Sequence, residues 1–413
     1  MRTPWIMKVT WGVSLVLLAL WFASAVLRQA PSKEAGGYFP QEFLSRARRR
    51  ATLAYLSSGL GTLATFGILY LVGRESATGP LLSSFFRRGV TPGNAALLGL
   101  CLGVTAAVAL SVVNLPFGIY GLYLDRSYGL SRMTLVAYLG DYAKSVFLSL
   151  LEYAFAGSFA AWALERFPRT WHLVVTGAFI IAAFVMSAIF PVLIAPMFNR
   201  FHPLPEGSTL ADVRELAGKA GMRVDKVLVM EASVKTTRVN AYFAGVGSTK
   251  EVVLYDTLLD YPREQVRLVL AHELGHWKHG HLVKGLLASG VGVLAALFLF
   301  RAVFWTASAS GGPGPAGIIT SLPALERLLV ALFIFATLVG YGLTPAASYI
   351  SRRFEVQSDA YSLALTGDRT AFVSTRVNLA RRNLGDVEPP PFIRWFAWTH
   401  PTTLERIRSA SSH

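Results

Sequence analysis

Seven long apolar stretches, near residues 7–26, 52–73, 94–121, 134–164, 171–197, 282–307 and 326–348, leave this chain few folds to choose from. Each approaches or exceeds the roughly 20 residues that a helix needs to cross the apolar core of a bilayer. Inside that core the backbone finds no water, so such stretches close their own hydrogen bonds as helices. The composition agrees: 53% of the 413 residues are hydrophobic and 15% are charged, whereas soluble domains carry about a quarter charged. The first stretch resembles a signal peptide, but its apolar run is long, Ala23-Ser24-Ala25 is a weak cleavage signal, and six further stretches follow. It is therefore expected to stay as an uncleaved anchor.

The net charge of +15 raises nucleic acid as a partner, and its distribution argues against it. Basic residues cluster beside the apolar stretches, as in RARRR (46–50), where anionic lipid headgroups attract them. No nucleic-acid motif accompanies them, so the expected partner is the lipid bilayer and no nucleic acid. Cys101, the single cysteine, lies inside an apolar stretch, which leaves no disulfide framework and no cysteine-based metal site. The final SASSH (409–413) has no CaaX cysteine, so the chain is not expected to be prenylated itself.

Two polar regions interrupt the helices, and together they are long enough for one core. The expected organisation is a membrane region with five spans over 1–198, a first part of an extramembrane domain over 199–281, spans six and seven over 282–348, and a second part of that domain over 349–413. In the first part, 225–231, 238–245 and 251–259 read as strands. Residues 261–285 read as one helix, with Pro262 in its first turn, and 309–317 as a flexible loop. The fold class is mainly α, a polytopic membrane protein of about seven transmembrane helices with a split α+β domain. Seven spans put both polar regions on one face with the 27–51 and 122–133 loops. That face carries most of the basic residues, which favours a cytoplasmic orientation in an inner (cell) membrane.

The chemistry gathers in AHELGHWKHGH (271–281), which holds four of the eight histidines. His272 and His276 are four apart, one helical turn, so both rings fall on one face and can close on one zinc ion. Glu273 lies beside them within reach of a water. Zinc used in catalysis needs a third protein ligand and an open position. The extended H-x-x-G-x-x-H pattern fails, because His279 stands where it wants glycine and Leu282 where it wants histidine. His279 reads as a surface or supporting residue and His281 as structural. The third ligand is sought in SRRFEVQSDAYSLA (351–364), where Glu355 and Asp359 are again four apart. Glu355 would ligate zinc, and Asp359 would hold the second ring nitrogen of a ligating histidine, His272 first. The alternative is a helix salt-bridged through Arg352 and Arg353.

These motifs, with DRSYGLS (125–131), LGDYAKS (139–145), APMFNRFHPL (195–204), NAYFAG (240–245), VVLYDTLL (252–259) and HPTTLERI (400–407), resemble the type I CAAX prenyl proteases in letters, order and spacing. That family comprises seven-span integral-membrane zinc metallopeptidases of the gluzincin class, with a zincin-type catalytic domain. The resemblance implies one Zn2+ per chain on His272, His276 and Glu355, and a catalytic glutamate at Glu273. It gives Asp359 either a proton-donor or a supporting role. It also implies an edge strand that holds peptide at Asn240, Ala241 and Tyr242, an oxyanion stabilised by His400 and Arg406, and a large chamber enclosed by the spans.

The expected function is peptide-bond hydrolysis on a peptide or protein substrate, membrane-associated or prenylated. Two alternatives stand beside it. One is a membrane-protein quality-control peptidase that does not read prenyl groups. The other is a non-catalytic zinc-binding transporter or lipid-handling protein, which would have no need of Glu273.

Overall fold

The computed structural model describes residues 5–74, 92–224, 226–309 and 322–411. Residues 310–317 of the expected loop lie outside them. Among the described residues seven helices are long and apolar enough to cross a membrane. They lie in α1 (Trp5–Val26), α3 (Gln41–Gly73), α4 (Pro92–Ser127), α5 (Leu135–Arg166), α6 (Trp171–Ile189, prolonged through a π turn to Phe198), α9 (His281–Ala309) and α10 (Leu322–Thr366). A short α2 (Lys33–Tyr38) precedes α3. The bundle closes on one apolar cluster to which Leu18, Phe66, Leu98, Trp171, Phe300 and Phe335 contribute.

The tightest crossing in the bundle joins α4 to α5. A Cβ on Gly99 would run into the Gly157 carbonyl, and one on Gly103 into that of Tyr153. Hydrocarbon tails are as apolar as leucine, so helices in a bilayer gain from close backbone approach of this kind.

The extramembrane domain contains β1 (Phe201–Pro203), α7 (Ser208–Lys219), β2 (Val227–Met230), β3 (Ala241–Ala244), β4 (Glu251–Tyr255) and α8 (Arg263–Lys278). After α10 come α11 (Arg369–Arg382), α12 (Pro391–Ala397) and α13 (Thr403–Ser411). The sheet order is β1-β2-β4-β3, with β2 and β4 parallel and the other pairs antiparallel. The strand over 238–245 is thus an edge of the sheet. Of the expected 251–259 strand, residues 256–258 form a 3-10 turn instead. β1 and α7 escaped the sequence reading, although Leu210, Val213, Leu216 and Ala217 of α7 are buried at helical spacing.

Two boundaries differ from expectation. The helix expected over 261–285 is broken: α8 ends at Lys278, Gly280 adopts φ 63°, and α9 starts at His281. Pro262 stands just before α8 in extended conformation (ψ 140°) and so starts the helix from outside it. In contrast, span seven does not stop near 348. α10 runs for 45 residues, about 65–70 Å at 1.5 Å per residue, more than twice the apolar thickness of a bilayer. Its far end enters the extramembrane domain, where Tyr361 and Leu365 pack on the same core as Val229, Leu254 and Leu270.

The N-terminal loops fasten this domain to the bundle. Arg28 donates to both carboxylate oxygens of Asp386 at 2.8 Å, Asp125 bridges Arg50 and Arg238, and the Arg132 N–H donates to the Lys235 carbonyl at 2.9 Å. The 27–51 and 122–133 segments therefore do lie on the face of both polar regions.

Candidate active site

α8 buries Val266, Leu270 and Leu274 in the domain core and turns His272, Glu273 and His276 toward α10. Gly275 allows the approach: a Cβ there would meet the Ser358 Cα at 2.9 Å, and Ser358 is fully buried. Ser358 sits between Glu355 and Asp359 on α10, so this contact sets the depth at which both acids face α8.

Three ligating side chains converge. His272 Nε2 lies 3.2 Å from His276 Nε2, and each lies 3.3 Å from one oxygen of Glu355. Four ligands at the 2.0–2.1 Å of zinc–nitrogen bonds stand about 3.3 Å apart on the edges of a tetrahedron. Two imidazole nitrogens facing each other beside a carboxylate are poorly satisfied by one another, and Glu355 Oε2 is buried without a hydrogen-bond donor. The cluster thus fits a small divalent cation by spacing and by donor chemistry, and among the described residues it is the metal-ligand cluster found.

Asp359 Oδ1 lies 2.9 Å from His272 Nδ1, which directs the other nitrogen of that ring at the cluster. Two arginines hold Asp359. Arg376 of α11 donates to Oδ1 at 2.7 Å, and Arg406 of α13 forks onto both oxygens at 2.7 and 2.6 Å. Burial pulls the Arg376 guanidinium down to about 10, so it remains a cation at neutral pH. Burial also opposes the charge on Arg406, but pairing with Asp359 outweighs it and raises its pKa. Arg406, expected at an oxyanion, also lines the cleft beside His400, with Nη2 3.7 Å from Glu355 Oε2, while its Nε and Nη2 donate to Asp359.

His400 lies closer to the open side. Its Nε2 is 3.4 Å from Glu355 Oε1, its Nδ1 is 2.9 Å from the Thr399 hydroxyl, and 57% of the side chain is accessible. Glu273 shares with Asn240, Arg376 and His400 the lining of a cleft of about 490 Å³. Burial raises its carboxyl above the ordinary value of 4.5, the direction that suits a proton acceptor in a neutral-pH reaction.

The residues expected to hold peptide divide by direction. Asn240 is exposed in the cleft. Ala241 turns into the domain core, and the Tyr242 ring lies on the opposite sheet face against Tyr255 at 6.5 Å. Neither residue lines the cleft, and the Tyr242 side chain faces away from it. β3 is the unpaired edge of the sheet, and Asn383 anchors its start: Val239 N–H donates to Asn383 Oδ1 at 2.9 Å and Asn383 Nδ2 donates to the Val239 carbonyl at 3.1 Å.

Sequence reasoning missed Arg376, Asn383 and the surroundings of His281. The signal for Arg376 was its place on one helix face with Phe372 and Ala380, both buried. An arginine on an apolar face needs an anion. Asn383 carries no local signal. His281, read as structural, is 5% exposed, with Nδ1 3.0 Å from His276 Nδ1. His279 stacks edge-on against Tyr361 at 5.7 Å, outside the ligand cluster.

A family model of peptidase family M48 matches residues 203–413, and one described as CAAX prenyl protease N-terminal, five membrane helices, matches residues 28–200. The Bacillus subtilis (strain 168) protein called Uncharacterized metalloprotease YhfN is 29% identical over 306 residues, 73% of this chain and 70% of that one. CAAX prenyl protease 1 of Saccharomyces cerevisiae is 29% identical over 335 residues, covering 75% and 71% of the two chains. The human CAAX prenyl protease 1 homolog is 27% identical over 340 residues, covering 72% and 70%. In fold, the crystal structure of S. mikatae Ste24p superposes with a TM-score of 0.75 at 22% identity, over 98% of this chain and 96% of that one. The chain accordingly belongs to peptidase family M48, and it is a membrane-embedded metalloprotease of the CAAX prenyl protease-like kind.

Proposed function

We propose that this protein is a zinc metalloendopeptidase acting on peptide or protein substrates at the membrane, with zinc held by His272, His276 and Glu355. The observation that carries this reading is the set of 3.2–3.3 Å separations among the three ligands with Glu273 beside them. When bound, zinc supplies Lewis acidity that polarises a carbonyl and lowers the pKa of a water.

The chain's own residues do the rest. An extended peptide adds to the free edge of β3 through backbone hydrogen bonds, with Asn240 contributing a side-chain contact. Glu273 takes a proton from the attacking water and hands it to the departing amine. His400 donates to the oxyanion that develops on the scissile carbonyl. Asp359, gripped by Arg376 and Arg406, keeps His272 in the tautomer and orientation that a ligand needs. Arg406 thus acts through Asp359.

The substrate class we infer is a prenylated, CaaX-ended protein or a membrane protein presented from the bilayer. It is supported by the names of the relatives and by a cavity of about 520 Å³ in the bundle, lined by Arg50, Ser57, Asn114, Phe117 and Tyr341 among others. The basic loops on the catalytic face support a cytoplasmic orientation.

The test uses the purified chain, its zinc content, and a pair of CaaX-ended peptides that differ only by a farnesyl group. Glu273→Gln is expected to keep zinc and to lose about 10²–10⁴-fold in cleavage rate, the usual contribution of a general base. Cleavage of the farnesylated peptide alone supports prenyl reading, and equal cleavage of both supports a general clearance role. Cleavage that survives Glu273→Gln unchanged would overturn the mechanism.

A further inference from the structure

The two histidines of the cluster are supported differently. His272 turns its Nδ1 to a charged partner, Asp359. His276 turns its Nδ1 to His281 Nδ1 at 3.0 Å, and His281 Nε2 lies 3.0 Å from Gln357 Oε1. If His276 keeps its Nε2 lone pair for a metal ion, its Nδ1 carries the proton and must donate. His281 Nδ1 then accepts, its Nε2 carries the proton, and the Gln357 carbonyl oxygen accepts that. A single arrangement of protons satisfies every group in the chain, and it needs no charge.

The fold builds this contact deliberately far from helical geometry. In a straight helix, residues five apart do not face each other. The break at Gly280, whose φ of 63° is one that side-chain-bearing residues rarely adopt, folds His281 back beneath His276. There Phe354 stacks on the His281 ring at 4.3 Å and 10°, and His279 lies along it at 5.5 Å and 21°. The ring itself is 5% exposed, while Gln357 at the far end of the relay is exposed.

We propose that His281 and Gln357 form a neutral relay that sets the tautomer and orientation of His276 and so tunes the affinity of the metal site. They are positioning residues, and they rest on the zinc site proposed above. Asp359 pushes charge toward its ligand; the His281–Gln357 pair orients a ligand without adding any.

The test is zinc affinity of the full-length protein, measured by chelator competition, together with thermal unfolding of the zinc-stripped protein. His281→Phe preserves the stack on Phe354 and removes the acceptor, and it is expected to weaken zinc binding about 10–100-fold, as loss of such a partner usually does. Gln357→Leu is expected to weaken it less, by about 3–10-fold, while Gln357→Glu, which retains the accepting oxygen, is expected to restore it to within about threefold. Zinc-stripped unfolding temperatures should match the parent's throughout. If His281→Phe does not fold, the Gln357 pair still decides. Unchanged affinity in the variants, or equal loss in Gln357→Leu and Gln357→Glu, overturns the relay while leaving the zinc site standing. A parent protein that takes up no zinc overturns the site, and the relay with it.

Discussion

The membrane bundle and the catalytic domain are joined by one unbroken helix, yet they cohere for different reasons. In the bundle, apolar side chains pack around Phe66, Phe300 and Phe335, and α4 and α5 meet where glycines let backbones touch. In the catalytic domain the decisive contacts are ionic and buried, with Asp359 held by two arginines and a histidine. The difference follows from the solvent. A bilayer offers helices no hydrophobic gain from meeting each other, so shape decides there. A domain in water can bury charge provided that every charge is paired. α10 links the regimes: its first half belongs to the bundle, and its second half delivers Glu355 and Asp359 to α8.

The comparison can be broken most forcefully at Asp359. Asp359→Asn leaves Arg376 and Arg406 without their anion and lets the His272 ring turn. The expected cost is about 3–5 kcal/mol of catalytic-domain stability and about 10–100-fold in zinc affinity, read by thermal unfolding in detergent and chelator competition. A variant that unfolds at the parent temperature would show that the buried ions do not hold the domain together.

A smaller effect, and one that tests both regions by the same means, comes from adding a single methyl group. Gly99→Ala in the bundle and Gly275→Ala in the catalytic domain each force backbones apart, and each is expected to cost about 1–3 kcal/mol. Their second readouts should separate. Gly275→Ala should also lower zinc affinity, because Ser358 carries Glu355 and Asp359 away with it; Gly99→Ala should leave zinc affinity alone. Equal effects on zinc would mean that the regions are coupled more rigidly than their contacts suggest.

The smallest effect concerns acid. Asp212, 2% exposed, pairs with Arg263 and Arg267, and these hydrogen bonds depress its carboxyl below the ordinary 3.8. A depressed carboxyl stabilises the fold at all pH values above the unfolded value, and that contribution fades as pH falls from there through the folded one. Both arginines reach solvent, so the expected contribution is on the order of 1 kcal/mol. Asp212→Asn should remove it at pH 7 and cost less at pH 3, below the ordinary carboxyl value. An equal deficit at both pH values would assign the loss to packing.

Much of this was legible from the chain. The seven spans could be read because hydropathy is local and a bilayer demands about 20 apolar residues in a row. His272 with His276, and Glu355 with Asp359, could be read as pairs because a helix brings every fourth residue to one face whatever surrounds it. α7 had the same kind of signal in Leu210, Val213 and Leu216 and was overlooked.

What only the tertiary structure decided lies between elements. The engagement of Arg406 by Asp359, the arrival of Arg376 from α11, and the grip of Asn383 on Val239 across 144 residues depend on how finished helices and strands pack. So does the return of His281 to His276, which needs a helix break that the apolar pattern conceals. Sequence spacing sets which residues share a face, since that geometry is fixed by the backbone. Which faces meet, and at what depth, is set by the packing of whole elements, here by Gly275 against Ser358.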